Sequence, residues 1–394
     1  MTRDFPRDQC AVVGIGSTDF SRESGRSTLT LAVQAALAAA EDAGIDPKDV
    51  DGIISSDADL VRHNDLATAL GVHQLTYWGQ AGAGGAAPSG MVGQAVAAVV
   101  SGLASTVLVF RALNGRSGRR WGRGRASRAF VGGNGSQDEF FIPYGLTAPG
   151  QLWALQAQYH FDKYGTTSAD LGRIAVVCRE NAMSNPAAQM HGRELTLAMH
   201  QESWVLSSPL RLLDYCLETD GACALIITST ERARDLPGHP VLIRAVAQGA
   251  GANVQGGLFY PSILRADLDD QPSVSLSRTL YARAGLGPHE IDVAQFYDCF
   301  TITVLVQLEQ YGFCKRGEAA SFIANGGIGR DGVLPINTAG GHLSEGYIHG
   351  MNHLVEGVRQ LRGNSTNPVA SAETCLVTSG LPVASSALIL TKDR

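Results

Sequence analysis

Residues 43–54 read AGIDPKDVDGII, and residues 284–295 read AGLGPHEIDVAQ. In both, a run rich in small residues reads as a helix that ends on Ala-Gly, at Gly44 and Gly285. A short turn follows, with Pro47 or Pro288 and a Val-Asp or Ile-Asp pair, and then an apolar strand. Glycine suits the left-handed position just past a helix, and proline keeps the helix from resuming. A repeated helix–turn–strand unit predicts two similar halves, each mixing strands and helices.

Working outward, CAVVGI (10–15) and PVLIRAV (240–246) are apolar enough to be buried strands opening each half. Val107–Phe110 and Leu388–Thr391 read the same way, and Ala95–Ala104 reads as a helix buried on most sides. Two Gly-rich stretches read as ligand-facing loops, GQAGAGGAAPSG (79–90) and NTAGGHLSEGYIHG (337–350). A polar insertion over about 115–215 separates the last two strands of the first half. The expected architecture is α/β: two βαβ-rich halves, 1–238 with the insertion and 239–394, with the Gly-rich loops meeting at the centre.

Composition narrows the function classes. The 394 residues are 44% hydrophobic with a net charge of −6, which fits a globular chain and gives no reason to expect nucleic acid. No apolar run reaches the roughly 18 residues that a membrane span needs. The opening MTRDFPRD lacks the apolar stretch of a secretory signal, so the cytoplasm is the expected compartment. Seven cysteines, mostly in apolar strand-like runs (Cys10, Cys178, Cys223, Cys299, Cys375), read as reduced core thiols. None has zinc spacing.

Further motifs carry a family resemblance. YHFDKYGTTSADLGRIAVVCRENAMSNPAA (159–188) precedes SPLRLLDYCLETDGACALII (208–227); IDVAQFYDCFT (291–301) precedes NTAGGHLSEGYIHG. In that order they resemble the thiolase superfamily, in its sterol-carrier-protein-type branch, over nearly the whole chain. The resemblance implies the thiolase fold, a layered αβαβα core with a helical and loop insertion in the first half. It also shows where this sequence departs from the pattern. The position of the nucleophilic cysteine falls at about Gly85, and that of the second cysteine at about Ser379. The histidine of the GHP-type loop falls at Tyr347, and the asparagine of the NEAF-type loop at Tyr297. Glycine carries no nucleophile, so cysteine-based thiolysis or condensation is not expected.

Tyrosine at both ligand-facing positions resembles the steroid side-chain aldolases among the thiolase-like lipid-transfer proteins. That resemblance implies retro-aldol cleavage of a steroid β-hydroxyacyl-CoA: a 17-hydroxy steroid bearing a three-carbon CoA thioester gives a 17-ketosteroid and propionyl-CoA. Such a lyase needs a base for the β-hydroxyl, donors for the thioester enolate and an acid for its α-carbon. Tyr297 and Tyr347 are expected to divide base and acid, in an order the sequence leaves open. His342, Ser344 and His349 are expected to orient a tyrosine or hold the thioester oxygen. Asp298 either tunes Tyr297 or caps a helix. Gly82, Gly84 and Gly85, with Gly340, Gly341, Gly346 and Ser379, are expected to line the substrate, the missing cysteine opening space for a bulky acyl group.

No cofactor is expected beyond the CoA of the substrate. A Schiff base is not expected, because Lys48, Lys163, Lys315 and Lys392 all stand in polar or loop-like contexts. No metal is expected either, although His342, Glu345, His349 and His353 recur at short spacing. Arg116, Arg119, Arg120, Arg123, Arg125 and Arg128 read as a solvated loop or as a clamp for CoA phosphates. The resemblance further implies a homodimer and a partner domain of zinc-ribbon and OB-fold type associated with an enoyl-CoA hydratase. Two other functions stay open here: a non-catalytic acyl-CoA or lipid-binding scaffold, and an acyltransferase using Ser379 or Cys299.

Overall fold

The two repeats fold alike. Gly44 (φ 66°) and Gly285 (φ 67°) take the left-handed conformation and close the helices Thr28–Ala43 and Pro272–Ala284. Short 3-10 turns on the prolines follow, Pro47–Asp49 and Pro288–Glu290. The computed structural model describes residues 5–82, 84–118, 142–146, 148–251, 267, 270–380 and 385–393. The strands of the first half are β1 (Cys10–Ser17), β2 (Gly52–Ser56), β3 (Tyr77–Ala81), β4 (Thr106–Asn114), a small hairpin β5 (Val205–Ser207) and β6 (Leu210–Arg211), and β7 (Asp220–Ser229). Those of the second half are β8 (Val241–Gly249), β9 (Val293–Gln295), β10 (Thr374–Ser379) and β11 (Ser385–Lys392).

The main sheet runs β3-β2-β4-β7-β1-β8-β11-β10-β9. Its centre is a brief antiparallel contact of β1 with β8, through Ala11 and Leu242 and through Val12 and Val241. From that seam each half repeats one plan. β1-β7-β4 and β8-β11-β10 are antiparallel, and a parallel strand, β2 or β9, follows outside each. The first half adds β3, parallel to β2, as the sheet's edge.

Helix burial sets the layers. Thr28–Ala43 packs on β1, β7 and β4, and Pro272–Ala284 packs on β8 and β11, each on an outer face. Ala87–Val100 and Met351–Arg362 lie between the halves and touch strands of both. Nearly every residue of these two inner helices is apolar, small or buried, as a helix covered on both sides requires. The result is the αβαβα order expected. The first inner helix begins at Ala87, not Ala95: Pro88 sits in its first turn, where its missing N–H costs nothing. It ends before Gly102 (φ 74°), so 102–104 belong to the turn into β4.

All seven cysteines are free thiols. Cys178 lies in the helix Ser168–Met183 and Cys299 in the turn before Thr301–Gln310, neither in a strand. The helix Ser168–Met183 of the insertion packs on Thr301–Gln310 and on the short helix Gly341–Ser344, so the insertion buttresses the second half. No helix among the described residues is long and apolar enough to cross a membrane.

Close approach of β1 to Thr28–Ala43 depends on Gly14 and Gly16. A Cβ on Gly16 would stand 2.1 Å from the Ala35 carbonyl oxygen. Gly16→Ala is expected to cost about 1–3 kcal/mol, because backbone must move to admit it. Urea unfolding checks this, and an unchanged midpoint contradicts the packing described.

Candidate active site

Tyr297 stands just past the end of β9, on a backbone held from three sides. Its N–H donates to Thr378 Oγ1 of β10 at 2.9 Å. Its carbonyl accepts from Thr303 Oγ1 and from Gln307 Nε2, both at 2.9 Å, on the helix Thr301–Gln310. The Asn337 side chain pairs with the main chain of Phe296 in both directions, at 2.7 and 3.0 Å. Tyr347 comes from the second Gly-rich loop, and its N–H donates to Thr219 Oγ1 at 2.8 Å. The two phenolic oxygens meet at 2.8 Å. The His342 ring sits edge-on to both tyrosines, with centroids 4.8 Å from each, and wedges the pair in place.

The first Gly-rich loop explains why this pair fits. A Cβ on Gly85 would lie 2.0 Å from Tyr297 Oη. The phenol therefore fills the volume that a side chain at position 85 would take. This corrects the expectation that glycine opens that space for an acyl group.

Acyl space lies in front of the tyrosines instead. A cavity of about 980 Å³ is walled by Phe20, Trp153, Leu206, Leu213, Phe300 and Leu343, with Gly84, Gly85, Tyr297, Tyr347 and His349 among its lining. Arg22, Arg116, Arg179 and Arg193 also line it. Arg116 lies 3.7 Å from Glu218; Arg119, Arg120, Arg123, Arg125 and Arg128 lie outside the described residues. All four lysines are exposed and none lines the cavity.

The other anticipated residues stand behind this wall. Asp298 accepts the N–H groups of His342 at 2.8 Å and Leu343 at 3.2 Å, so it caps the short helix Gly341–Ser344 from outside. His353 Nε2 is 2.9 Å from the same carboxylate. A Cβ on Gly341 would stand 2.2 Å from that carboxylate, so this glycine serves the cap and not the substrate. Gly340 clears Ala182, Gly346 clears Phe20 and Gly82 clears Asp57. Ser344 accepts from Arg179 Nε at 3.0 Å, and Ser379 shares a hydrogen bond with Ser89 at 2.8 Å. None of Gly82, Gly340, Gly341, Gly346, Ser344 or Ser379 lines the cavity.

Burial controls the electrostatics. Burial, and then the neighbouring Tyr347, push the Tyr297 phenol well above its ordinary range. Tyr347 is pushed up by burial and by Cys216 and Cys299, while the Tyr297 hydrogen bond and Arg111 pull it back. Burial works against ionisation of Asp298, but His342, the His353 hydrogen bond and the His342 N–H outweigh it and hold the carboxyl low. His342 is kept well below the usual histidine range by burial and by His353. The Cys299 thiol, on the cavity wall, is driven far up by burial and then by Asp298.

Three residues of the site were not singled out in the sequence, although Thr219 lies within the 208–227 motif. Thr219 anchors Tyr347. Arg111 and Asp59, whose side chains are fully buried, form an ion pair at 3.1 Å behind His349. An arginine inside the apolar strand TVLVFRALN was the one available signal for the pair.

A layered core of this kind, with phenols where its centre would hold a thiol, is a thiolase fold with altered chemistry. Residues 263–392 match the family model described as thiolase C-terminal domain-like. A steroid side-chain-cleaving aldolase of Thermomonospora curvata is 46% identical, over 98% of each chain. A 17-hydroxy-3-oxo-4-pregnene-20-carboxyl-CoA lyase of Mycobacterium tuberculosis is 45% identical, over 97% of this chain and 99% of that one. The solved structure described as Ltp2-ChsH2(DUF35) aldolase superposes with a TM-score of 0.91 at 44% identity, over 98% and 99% of the two chains. The chain belongs to the thiolase superfamily, in the family of thiolase-like proteins that includes these two relatives.

The two phenols give a direct test of the electrostatics. Ultraviolet titration of the parent and of a Tyr297→Phe/Tyr347→Phe variant should superimpose through about pH 10.5, above the ordinary tyrosine value. A tyrosinate signal that is lost in the variant below that pH contradicts the burial described.

Proposed function

We propose that this chain is a carbon–carbon lyase that cleaves the side chain of a steroid β-hydroxyacyl-CoA by a retro-aldol reaction. Its substrate is a 17-hydroxy steroid carrying a three-carbon CoA thioester, and its products are a 17-ketosteroid and propionyl-CoA. One observation carries the reading: the Tyr297 hydroxyl fills the nucleophile position left by Gly85 and is hydrogen-bonded to Tyr347. The full-length relatives named for this chemistry support it.

The reaction moves one proton from the β-oxygen to the α-carbon. As the β-hydroxyl loses its proton, its oxygen forms the ketone and the Cα–Cβ electron pair passes into the thioester enolate. That enolate then takes a proton at Cα. Neither phenol ionises readily, so a lasting phenolate base is disfavoured. Two hydroxyls 2.8 Å apart avoid the problem, because one can accept a proton as the other gives one up. The pair ends as it began, with no net charge buried. Apolar walls suit a polycyclic acyl group, and guanidinium groups of Arg22, Arg116 and Arg193 suit the CoA phosphates.

No Schiff base or metal enters this scheme. The carboxylate of Asp298 and the rings of His342 and His353 converge closely. We assign them to the loop, since a cation would displace the N–H groups that Asp298 caps. An acyltransferase is poorly served, with Ser379 off the cavity and the Cys299 thiol held protonated. Free thiols throughout favour the cytoplasm.

We also infer a homodimer formed along β3, the sheet's open edge, where Trp78 is 55% exposed. A partner of the DUF35 kind is inferred from the aldolase structure that this chain superposes on, and we take it to be of zinc-ribbon and OB-fold type and linked to an enoyl-CoA hydratase. Trp78→Glu should convert the dimer to a monomer in sedimentation velocity. A parent that sediments as a monomer overturns the dimer.

The test is cleavage of the steroid thioester in the presence of that partner. Tyr297→Phe and Tyr347→Phe should each lower kcat by about 10²–10⁴-fold. The double variant should be little worse than either, because the pair acts as a unit. Gly85→Ala, which displaces Tyr297 Oη, should cost about 100-fold with the fold intact. Cleavage near the parent rate by both single variants refutes the assignment. So does an acyl group trapped covalently on the protein.

A further inference from the structure

Arg111 is fully buried in the middle of β4, a strand otherwise apolar between a terminal threonine and a terminal asparagine. Its Nη1 lies 3.1 Å from the buried Asp59 carboxylate. Asp59 is itself held by the N–H groups of Ser56 at 3.0 Å and Ala112 at 3.3 Å. On its other side, Arg111 Nη2 meets His349 Nδ1 at 2.5 Å. Arg111 Nε and Nη1 have no hydrogen-bond partner among the described residues, so Nη1 meets Asp59 as an ion pair only. Burying such a pair costs several kcal/mol per ion before any attraction is gained, and an apolar pair would pack there at least as well. Two buried charges whose contacts lead to one cavity-lining ring therefore point to that ring.

The chemistry of the contact is restrictive. Guanidinium has five donors, no acceptor and no accessible deprotonated form. His349 Nδ1 must then accept, which leaves the ring proton on Nε2 and the imidazole neutral. His349 is further held in the left-handed region (φ 51°), a backbone conformation that fixes where its ring stands. The ring lies beside Gly84, with Cε1 4.0 Å from where a Gly84 Cβ would be, and 4.8 Å from the Tyr347 ring.

We propose that Asp59 and Arg111 are positioning residues that lock His349 as a neutral Nε2–H donor for the thioester oxygen as the enolate forms. The inference rests on the retro-aldolase reading and adds to it the donor that the tyrosine pair lacks. Burial, then Arg111, then His342 keep His349 well below the usual histidine range, in line with that tautomer. Other charged or titratable groups around it include Tyr347, Asp59 behind Arg111, and Asp57, which accepts the Gly84 N–H at 3.4 Å.

The test uses Asp59→Asn/Arg111→Met, which removes both charges together and leaves no ion unpaired. Its kcat should fall about 10–100-fold, the scale of a weakened oxyanion donor, with KM within about twofold of the parent. Freed of Arg111 but still buried, His349 should take a proton more readily than in the parent, so kcat should gain an acid limb that stays below the ordinary histidine value of about 6.5. Adding His349→Gln should abolish that limb. An unchanged kcat overturns the proposal, and so does a loss with no new acid limb, which is what a structural role alone would give. A readout free of turnover covers a variant that misfolds or a substrate that is wrongly assigned. In ¹⁵N-histidine-labelled parent protein, His349, assigned through His349→Gln, should carry its proton on Nε2 alone and not change from pH 5.5 to 8. A proton on Nδ1 overturns the lock whatever the substrate.

Discussion

A hydrogen bond of 2.8 Å between the buried phenol of Tyr297 and the half-buried phenol of Tyr347 sets the terms for the rest of this site. It exists because Gly85 has no side chain, for even one carbon there would collide with Tyr297 Oη. Glycine at 85 and tyrosine at 297 therefore depend on each other, and the core there holds a pair of hydrogen-bonded hydroxyls. Around them the protein supplies rigidity: Thr378, Thr303 and Gln307 fix the backbone of Tyr297, Thr219 fixes that of Tyr347, and His342 wedges both rings.

Low dielectric would be a defect for a phenolate base and is an advantage for a relay. A group that must hold charge suffers from burial, whereas one that passes a proton along never holds it. The same burial keeps the nearby thiols protonated, Cys299 on the cavity wall among them. Asp298, a buried carboxylate behind the second Gly-rich loop, directs its charge to N–H groups and to His353.

Much of this was legible in the sequence. The Ala-Gly…Pro…Asp repeat carries its own geometry, since glycine past a helix and proline after it leave the chain few alternatives. It placed β2 and β9 at equivalent points of two halves. Tyr297 and Tyr347 could be named because each stands at a fixed place in a motif. That they touch could not, because they belong to different loops and their contact is a tertiary fact. Glycines misled most: Gly340 and Gly341 read as substrate-facing, yet they make room for Asp298 and Ala182. Sequence shows that a backbone is bare and does not show what approaches it. Arg111 was passed over because one charge in TVLVFRALN does not break an apolar pattern.

Proton inventory of the cleavage step tests the relay most directly. Single-turnover rates in mixtures of H₂O and D₂O should fall along a bowed curve, since two protons move together through Tyr297 and Tyr347. A straight line, or no solvent isotope effect on the bond-breaking step, would contradict the account.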